Sequence, residues 1–314
     1  MGDVQLITSR EVPLGGPRAM RVRRTLPQRA RSLIGAWCFV DHYGPDDVSS
    51  TGGMDVPPHP HTGLQTVSWL FTGEIEHRDT TGAHALVRPG EVNIMTAGHG
   101  VAHSEVSTPG CDTLHGVQLW TVLPEASRHS TRDFTHHVPE PLALQGAEAR
   151  VLIGSLAGHT SPVPAYSPLL GAELLLDPDT EIVLDVEPDF EHGVLVDAGP
   201  VRLQQTELEP SELGYLGPGH DRLRLTNLTD RPARVMLLGG EPFPEPVMMW
   251  WNFIGRTHEE IVDYRTEWEA GSERFGRVQG YTGSVQRLPA PPMPKVRLKP
   301  RMNPPGDGDP SAWG

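Results

Sequence analysis

Two short patterns, His59-Pro60-His61 and His103-Ser104-Glu105, set the tightest limit on how this chain can fold. Each puts two metal-binding side chains at i and i+2, and in a β-strand those positions project from one face. Strands carrying the two pairs, laid side by side, would converge three imidazoles and one carboxylate on a point. His61 and His103 are 42 residues apart. That is room for roughly three or four short strands, so an antiparallel barrel can make the pairs neighbours.

The alternative is four unrelated residues. With 15 histidines in 314 positions, an H-x-H spacing is expected by chance about once per chain, so neither pair is decisive alone. The setting supplies the weight. Gly53 precedes His59, the apolar run Val67-Ser68-Trp69-Leu70-Phe71 follows Gln65, and Gly73 ends it, which reads as turn, strand, turn. Arg88-Pro89-Gly90-Glu91 makes a turn before Val92-Asn93-Ile94-Met95, and Ala97-Gly98-His99-Gly100 leads into the strand bearing His103 and Glu105.

With 34 Gly and 32 Pro the chain is turn-rich, and 37% hydrophobic residues suffice for a core, so a β-dominated protein with few helices is expected. Its length suits two packed β-domains. The formal charge of −14 argues against a nucleic-acid binder, which needs a basic stripe. No apolar run is long enough to span a membrane and the N-terminus has no secretory pattern, so a soluble, cytoplasmic protein is expected. Cys38 and Cys111 are the two cysteines. Without a C-x-x-C pattern they predict two buried thiols rather than a disulfide or thiolate zinc site.

Along the chain, Trp37 to Pro45 reads as an entry strand and turn, with His42 satisfying a hydrogen bond at the strand end rather than binding metal. In Leu114–Leu123, His115, Val117 and Leu119 would share one face and Gly116, Gln118 and Trp120 the other. Residues 125–148 read as a polar connector, in which His136 and His137 cannot both face one site. The second half repeats the strand-and-turn pattern without H-x-H or H-x-E, and its His159, His192 and His220 are scattered. Thr257, with Glu260 three residues later, predicts a helix over about residues 258–269. Residues 288–314 contain eight prolines and scattered Lys295, Arg297, Lys299 and Arg301, and read as a tail that packs along a domain or stays mobile. The expected domains are 1–135, 136–287 and the tail 288–314.

Three blocks in order resemble the pirin family of two-domain cupins: His59 to Trp69, Met95 to Glu105, and Gly240-Glu241-Pro242 through Glu245-Pro246-Val247. The resemblance spans roughly residues 5–285. It implies an all-β fold of two packed antiparallel jelly-roll barrels with a short C-terminal helix. It also implies that His59, His61, His103 and Glu105 hold one divalent metal in the N-terminal barrel and that the C-terminal barrel is metal-free. Ordinary cupins take their carboxylate from the first motif, near position 65, where this chain has Gln65. In many pirins Glu stands at that position and Arg at that of His99; here His99 either lines the pocket or faces outward.

Such a ligand set leaves a divalent ion with one net positive charge and, if octahedral, two open positions. That favours Fe(II), with Mn, Ni, Co, Cu or Zn as alternatives. Some pirins are flavonol (quercetin) 2,3-dioxygenases, so the resemblance implies a flavonol-like aromatic substrate, O2, and Glu105 as both ligand and general base. Trp69, Met95 and Trp120 either line an aromatic pocket or serve the core. The competing reading is an iron-binding, redox-sensing regulator that acts through a protein partner without turnover, for which the arginines between Arg18 and Arg31 are the candidate surface. A monomer is expected, because two halves in one chain can bury against each other what a single cupin buries by dimerising.

Overall fold

The structure is a computed structural model that describes residues 4–14 and 20–303. Arg18, one of the basic residues singled out above, lies outside them. The first half is two sheets with every strand pairing antiparallel. Its strands are β1 (Gln5–Ile7), β2 (Arg10–Pro13), β3 (Arg21–Leu26), β4 (Trp37–Asp47), β5 (Asp55–His61), β6 (Leu64–Thr72), β7 (Ile75–Asp79), β8 (His84–Val87), β9 (Val92–Thr96), β10 (Val101–Ser107), β11 (Thr113–Val122) and β12 (Asp133–His137). A seven-stranded sheet runs β12-β9-β6-β11-β4-β3-β2 and faces a four-stranded sheet β5-β10-β7-β8. Val56 and Ile75 from the smaller sheet meet Val22, Tyr43, Leu70 and Leu114 from the larger one.

The second half repeats this plan. A seven-stranded sheet includes Leu213–Leu216, Glu191–Ala198, Ala233–Gly240, Leu169–Leu176 and Ala147–Ile153, and faces a four-stranded sheet built around Glu181–Asp185 and Arg222–Asn227. The extreme N-terminal β1 joins this second sheet by pairing with Leu213–Leu216.

The large sheets of the two halves pack back to back. Alternate residues Val67 and Trp69 of β6, Val92 and Ile94 of β9, and Val117 and Leu119 of β11 meet Ile153, Leu195, Met236 and Leu238 across the seam. Each such side chain stabilises the docking by about 1.5–3 kcal/mol relative to exposure. Gly35 takes φ +51° and lies where a Cβ would come 2.6 Å from Gly240 Cα, so a side chain there would push the halves apart. Because the large first sheet is covered on both faces, β6 is buried almost throughout.

The expected helix is present as His258–Ala270, capped by the Thr257 side chain accepting from Glu260 N–H and ended by Gly271 at φ 70°. The Glu260 carboxylate also accepts from Arg256 N–H at 2.6 Å. Ile261, Tyr264 and Trp268 bury one helix face against Phe253 and Ala102, the latter on β10 of the first half. No helix among the described residues is long and apolar enough to cross a membrane.

Three expectations need correction. The segment 125–148 is more than a connector, since β12 pairs with β9 along Asp133–His137. His42 is hydrogen-bonded as expected, but in the middle of β4 rather than at its end. Cys38 is buried and burial raises its thiol pKa, whereas Cys111 is only partly buried.

Candidate metal centre

β10 lies antiparallel between β5 and β7, with His103 directly opposite His59 and Val101 opposite His61. The register slips between His103 and Glu105, and this bulge sets the direction of the carboxylate. The three imidazoles gather closely: ring centroids of His59 and His103 are 4.3 Å apart, and His61 is 5.0 Å from each. Their ligand atoms all fall within 4.8 Å of one another. Glu105 does not complete that trio at the same spacing; its carboxylate groups with His103 and His77.

Hydrogen bonds behind the rings decide which nitrogens carry protons. His59 Nδ1 donates to Pro57 O at 2.9 Å and His61 Nδ1 to Asn252 O at 3.2 Å. His77 Nε2 donates to Asp79 Oδ2 at 3.0 Å, which leaves His77 Nδ1 to accept from His103 Nδ1 at 3.4 Å. These partners assign the proton to Nδ1 of all three rings and leave each Nε2 lone pair bare. His61 Nε2 and His103 Nε2 are nonetheless 3.0 Å apart, two acceptors with no proton between them. Burial lowers the pKa of all three rings, that of His59 to about 4, so protonation does not resolve the conflict at neutral pH. Glu105 is buried as well; burial raises its pKa, against the pull of His77 and of Ser68 Oγ at 3.5 Å. Converging lone pairs beside a buried carboxylate fit a divalent cation, and backbone carbonyls plus the Asp79–His77 pair hold the rings as a metal site requires.

The cluster forms the floor of a cavity of about 420 Å³. Trp120 lines it and meets His61 edge-on at 5.1 Å. Trp69, which the sequence also offered, points the other way into the seam, and Met95 packs in a neighbouring core. Strand parity separates Trp69 from Ser68 and places Ser68 and Gln118 toward the cavity. Gln65 is tied between Thr96 Oγ1 and Thr121 Oγ1, away from the imidazoles. His99 turns outward to Ser130 O. The hairpin Met248–Trp250 and Phe253–Gly255 crosses back from the second half to roof the site. Gly63, at φ +66°, lets the chain pass Ile254 O at a distance where a Cβ would lie 2.6 Å away.

Sequence reasoning passed over His77 and Asp79, although they show the same i, i+2 spacing as the ligand pairs. It also missed a second buried cluster, in which His42 Nε2 and His115 Nε2 lie 2.7 and 2.6 Å from Asp197 Oδ1 across the seam. The arginines considered as a partner surface are dispersed: Arg23 reaches His42, Arg24 pairs with Asp41, and Arg31 covers Tyr215.

The chain matches the family described as Pirin over residues 19–121 and the Pirin C-terminal cupin domain over residues 171–276. It is 44% identical over 292 residues, 93% of this chain and 91% of the other, to a Pseudomonas aeruginosa protein named "Putative quercetin 2,3-dioxygenase". A Caulobacter vibrioides pirin-like protein is 36% identical over 80% of this chain and 88% of its own. The crystal structure of a quercetin 2,3-dioxygenase from Acinetobacter baumannii superposes with a TM-score of 0.88 at 36% identity, covering 94% of this chain and 97% of that one. Two family matches in order, and relatives aligned nearly end to end, establish that the chain is a member of the pirin family of two-domain cupins.

Proposed function

We propose that this pirin is a metal-dependent dioxygenase that opens a flavonol such as quercetin with O2, and that His59, His61, His103 and Glu105 hold one divalent metal, Fe(II) foremost. The observation that carries the proposal is the set of three bare Nε2 atoms and a buried carboxylate on the floor of an aromatic-walled cavity. The donor set of nitrogens and an oxygen, without thiolate, suits an open, redox-capable ion better than a closed structural zinc. When bound, the metal supplies Lewis acidity that makes an enolic hydroxyl of the substrate easier to ionise.

The chain's own groups do the rest. Glu105 is the one carboxylate among the cavity residues, and its raised pKa suits it to accept the flavonol hydroxyl proton. Ser68 Oγ donates to Gln118 Oε1 at 2.9 Å and lies 3.5 Å from the Glu105 carboxylate. Trp120 and Phe39 stack at 4.0 Å and 11° and offer a flat wall for the substrate rings. The apolar seam between the halves supports a monomeric protein. The regulatory reading has less support, because Arg23, Arg24 and Arg31 of the proposed partner surface bond inward, which leaves Arg21 and Arg29 as its exposed described members.

The test is anaerobic reconstitution with Fe(II), metal quantification, and oxygen uptake with quercetin, beside Glu105→Ala and His61→Ala. Metal-dependent uptake with ring opening, lost in both variants, supports the reading. One bound metal without turnover contradicts the dioxygenase assignment, and no bound metal contradicts the site.

A further inference from the structure

One wall of the cavity leads away from the imidazoles in an ordered series of contacts. His61 meets the edge of Trp120 at 5.1 Å, Trp120 stacks on Phe39 at 4.0 Å, and the Arg24 guanidinium lies 4.2 Å from the Phe39 ring centroid. Arg10 and Arg301 line the same cavity. Three arginines at one end is an unexpected composition for a chain of formal charge −14.

Their pairing differs. Arg24 is spoken for: its Nε and Nη2 bond both oxygens of the buried Asp41 at 2.6 and 2.7 Å. Arg10 bonds only the Pro27 carbonyl, at 3.3 Å, and neither Arg10 nor Arg301 has a carboxylate at ion-pair distance among the described residues. Both are solvent-exposed. They are also near enough to act on each other: the covered part of the Arg301 side chain, and after it the charge of Arg10, lowers the Arg301 pKa. Arg301 is brought here by the Pro-rich tail, whose backbone pairs with Val247 in both directions, at 3.1 and 2.7 Å. Two residues on, the Asn303 side chain accepts from Leu33 N–H and donates to Leu33 O, both at 2.9 Å. The tail is thus tied on both sides of the arginine it delivers.

A further unpaired donor sits nearer the floor. Gln118 is 9% exposed and lines the cavity; its Oε1 accepts from Ser68 Oγ at 2.9 Å, while its Nε2 has no partner. Leaving a buried amide N–H unsatisfied is costly, and a ligand oxygen would remove that cost. Beside it, Trp251 holds φ 52° in the turn that also supplies Asn252 O to His61, a conformation unusual for a bulky residue and frequent where ligands are clamped.

We propose that the substrate of this pocket is an aromatic anion, with its chelating oxygens at the imidazole floor, an oxygen on Gln118 Nε2, its rings along Trp120 and Phe39, and a carboxylate or sulfonate group between Arg10 and Arg301. The inference rests on the dioxygenase reading and narrows its substrate class. A neutral flavonol uses the floor and the wall but leaves two guanidinium groups that have no ion-paired carboxylate among the described residues. An anionic one supplies charge-assisted hydrogen bonds at the far end.

The experiment is an anaerobic titration of the metal-loaded protein, followed by tryptophan fluorescence, with quercetin and with quercetin sulfonated on its B ring. The sulfonated compound is expected to bind about tenfold more tightly, one charge-assisted contact's worth. That preference should vanish in an Arg10→Gln/Arg301→Gln double variant, whose altered side chains are exposed. Gln118→Leu should weaken both ligands alike. Equal affinities, no binding of either compound, or a preference that survives in the double variant would overturn the proposal. Because binding is read without O2, a retained preference with no ring opening in air would contradict the dioxygenase reading and leave this one standing.

Discussion

The first half of this pirin contains two imidazole–carboxylate clusters that look alike by composition and differ in what surrounds them. On the inner face of its sheets, His59, His61 and His103 turn bare nitrogens toward one another beside Glu105, with no cation other than the distant rim arginines in the cavity. On the outer face, His42 and His115 both bond Asp197 of the second half, and Arg234 Nη1 bonds the remaining oxygen of Asp197 at 3.1 Å. Arg23 Nη2 approaches His42 at 3.4 Å. The outer carboxylate already has its protons and its counter-charge, so a divalent ion there would face two guanidinium groups. The inner cluster lacks both, and its donor set fits a cation. A His/Asp/Glu grouping is therefore a metal site or a latch according to its second layer of partners.

The largest effect is expected at the latch. Asp197→Ala leaves two buried imidazoles without their acceptor and Arg234 with Glu173 alone, and should cost about 3–5 kcal/mol in urea unfolding, with metal content per folded chain unchanged. Loss of metal in that variant would break the distinction between the clusters. At the inner cluster, chelation should lower the unfolding stability of the wild type by about 2.7 kcal/mol when metal is present at a hundred times its dissociation constant. His61→Ala should be insensitive to the same treatment.

A smaller effect is expected behind the ligands. His77→Leu removes the acceptor for His103 Nδ1 and should weaken metal binding roughly 10–100-fold in competition with a chelator while leaving the fold intact. An unchanged affinity would mean that His103 does not need this partner to present Nε2. The smallest is a pH effect. Burial lowers the pKa of His42 despite its bond to Asp197, and in Asp197 the bonds from His115 and His42 outweigh burial and hold the carboxyl below its ordinary range. Both shifts work in one direction. Their stability is fully present at neutral pH. As pH falls below about 6.5 the unfolded chain binds the proton that folded His42 resists, and at lower pH Asp197 adds its loss. His42→Asn should therefore lose less stability than the wild type between about pH 7 and pH 5.

The clustering of the inner residues was legible because each pair is local, two residues apart on one strand, and because the turns around them bounded those strands. The helix was legible for a similar reason, with Thr257 and Gly271 marking its ends. The latch was not, since Asp197 lies 155 residues beyond His42 and only the docking of two sheets joins them. Nor could strand alternation tell which of Trp69 and Trp120 meets the cavity. They lie on different strands whose facing the sequence does not relate, and the sheet is buried on both faces, so polarity gave no sign of which face was which. The tail carried no periodicity at all, and its contribution of Arg301 depends on a backbone bridge to Val247 and on the Asn303 side chain bonding Leu33.

The central claim is that one cluster takes a cation and the other does not. Anomalous diffraction from crystals of the Fe(II)-loaded protein, collected at the iron edge, tests it most directly. The account predicts one peak per chain, among His59, His61, His103 and Glu105, and none between His42, His115 and Asp197. A peak at the seam, or none at the inner cluster, would contradict it.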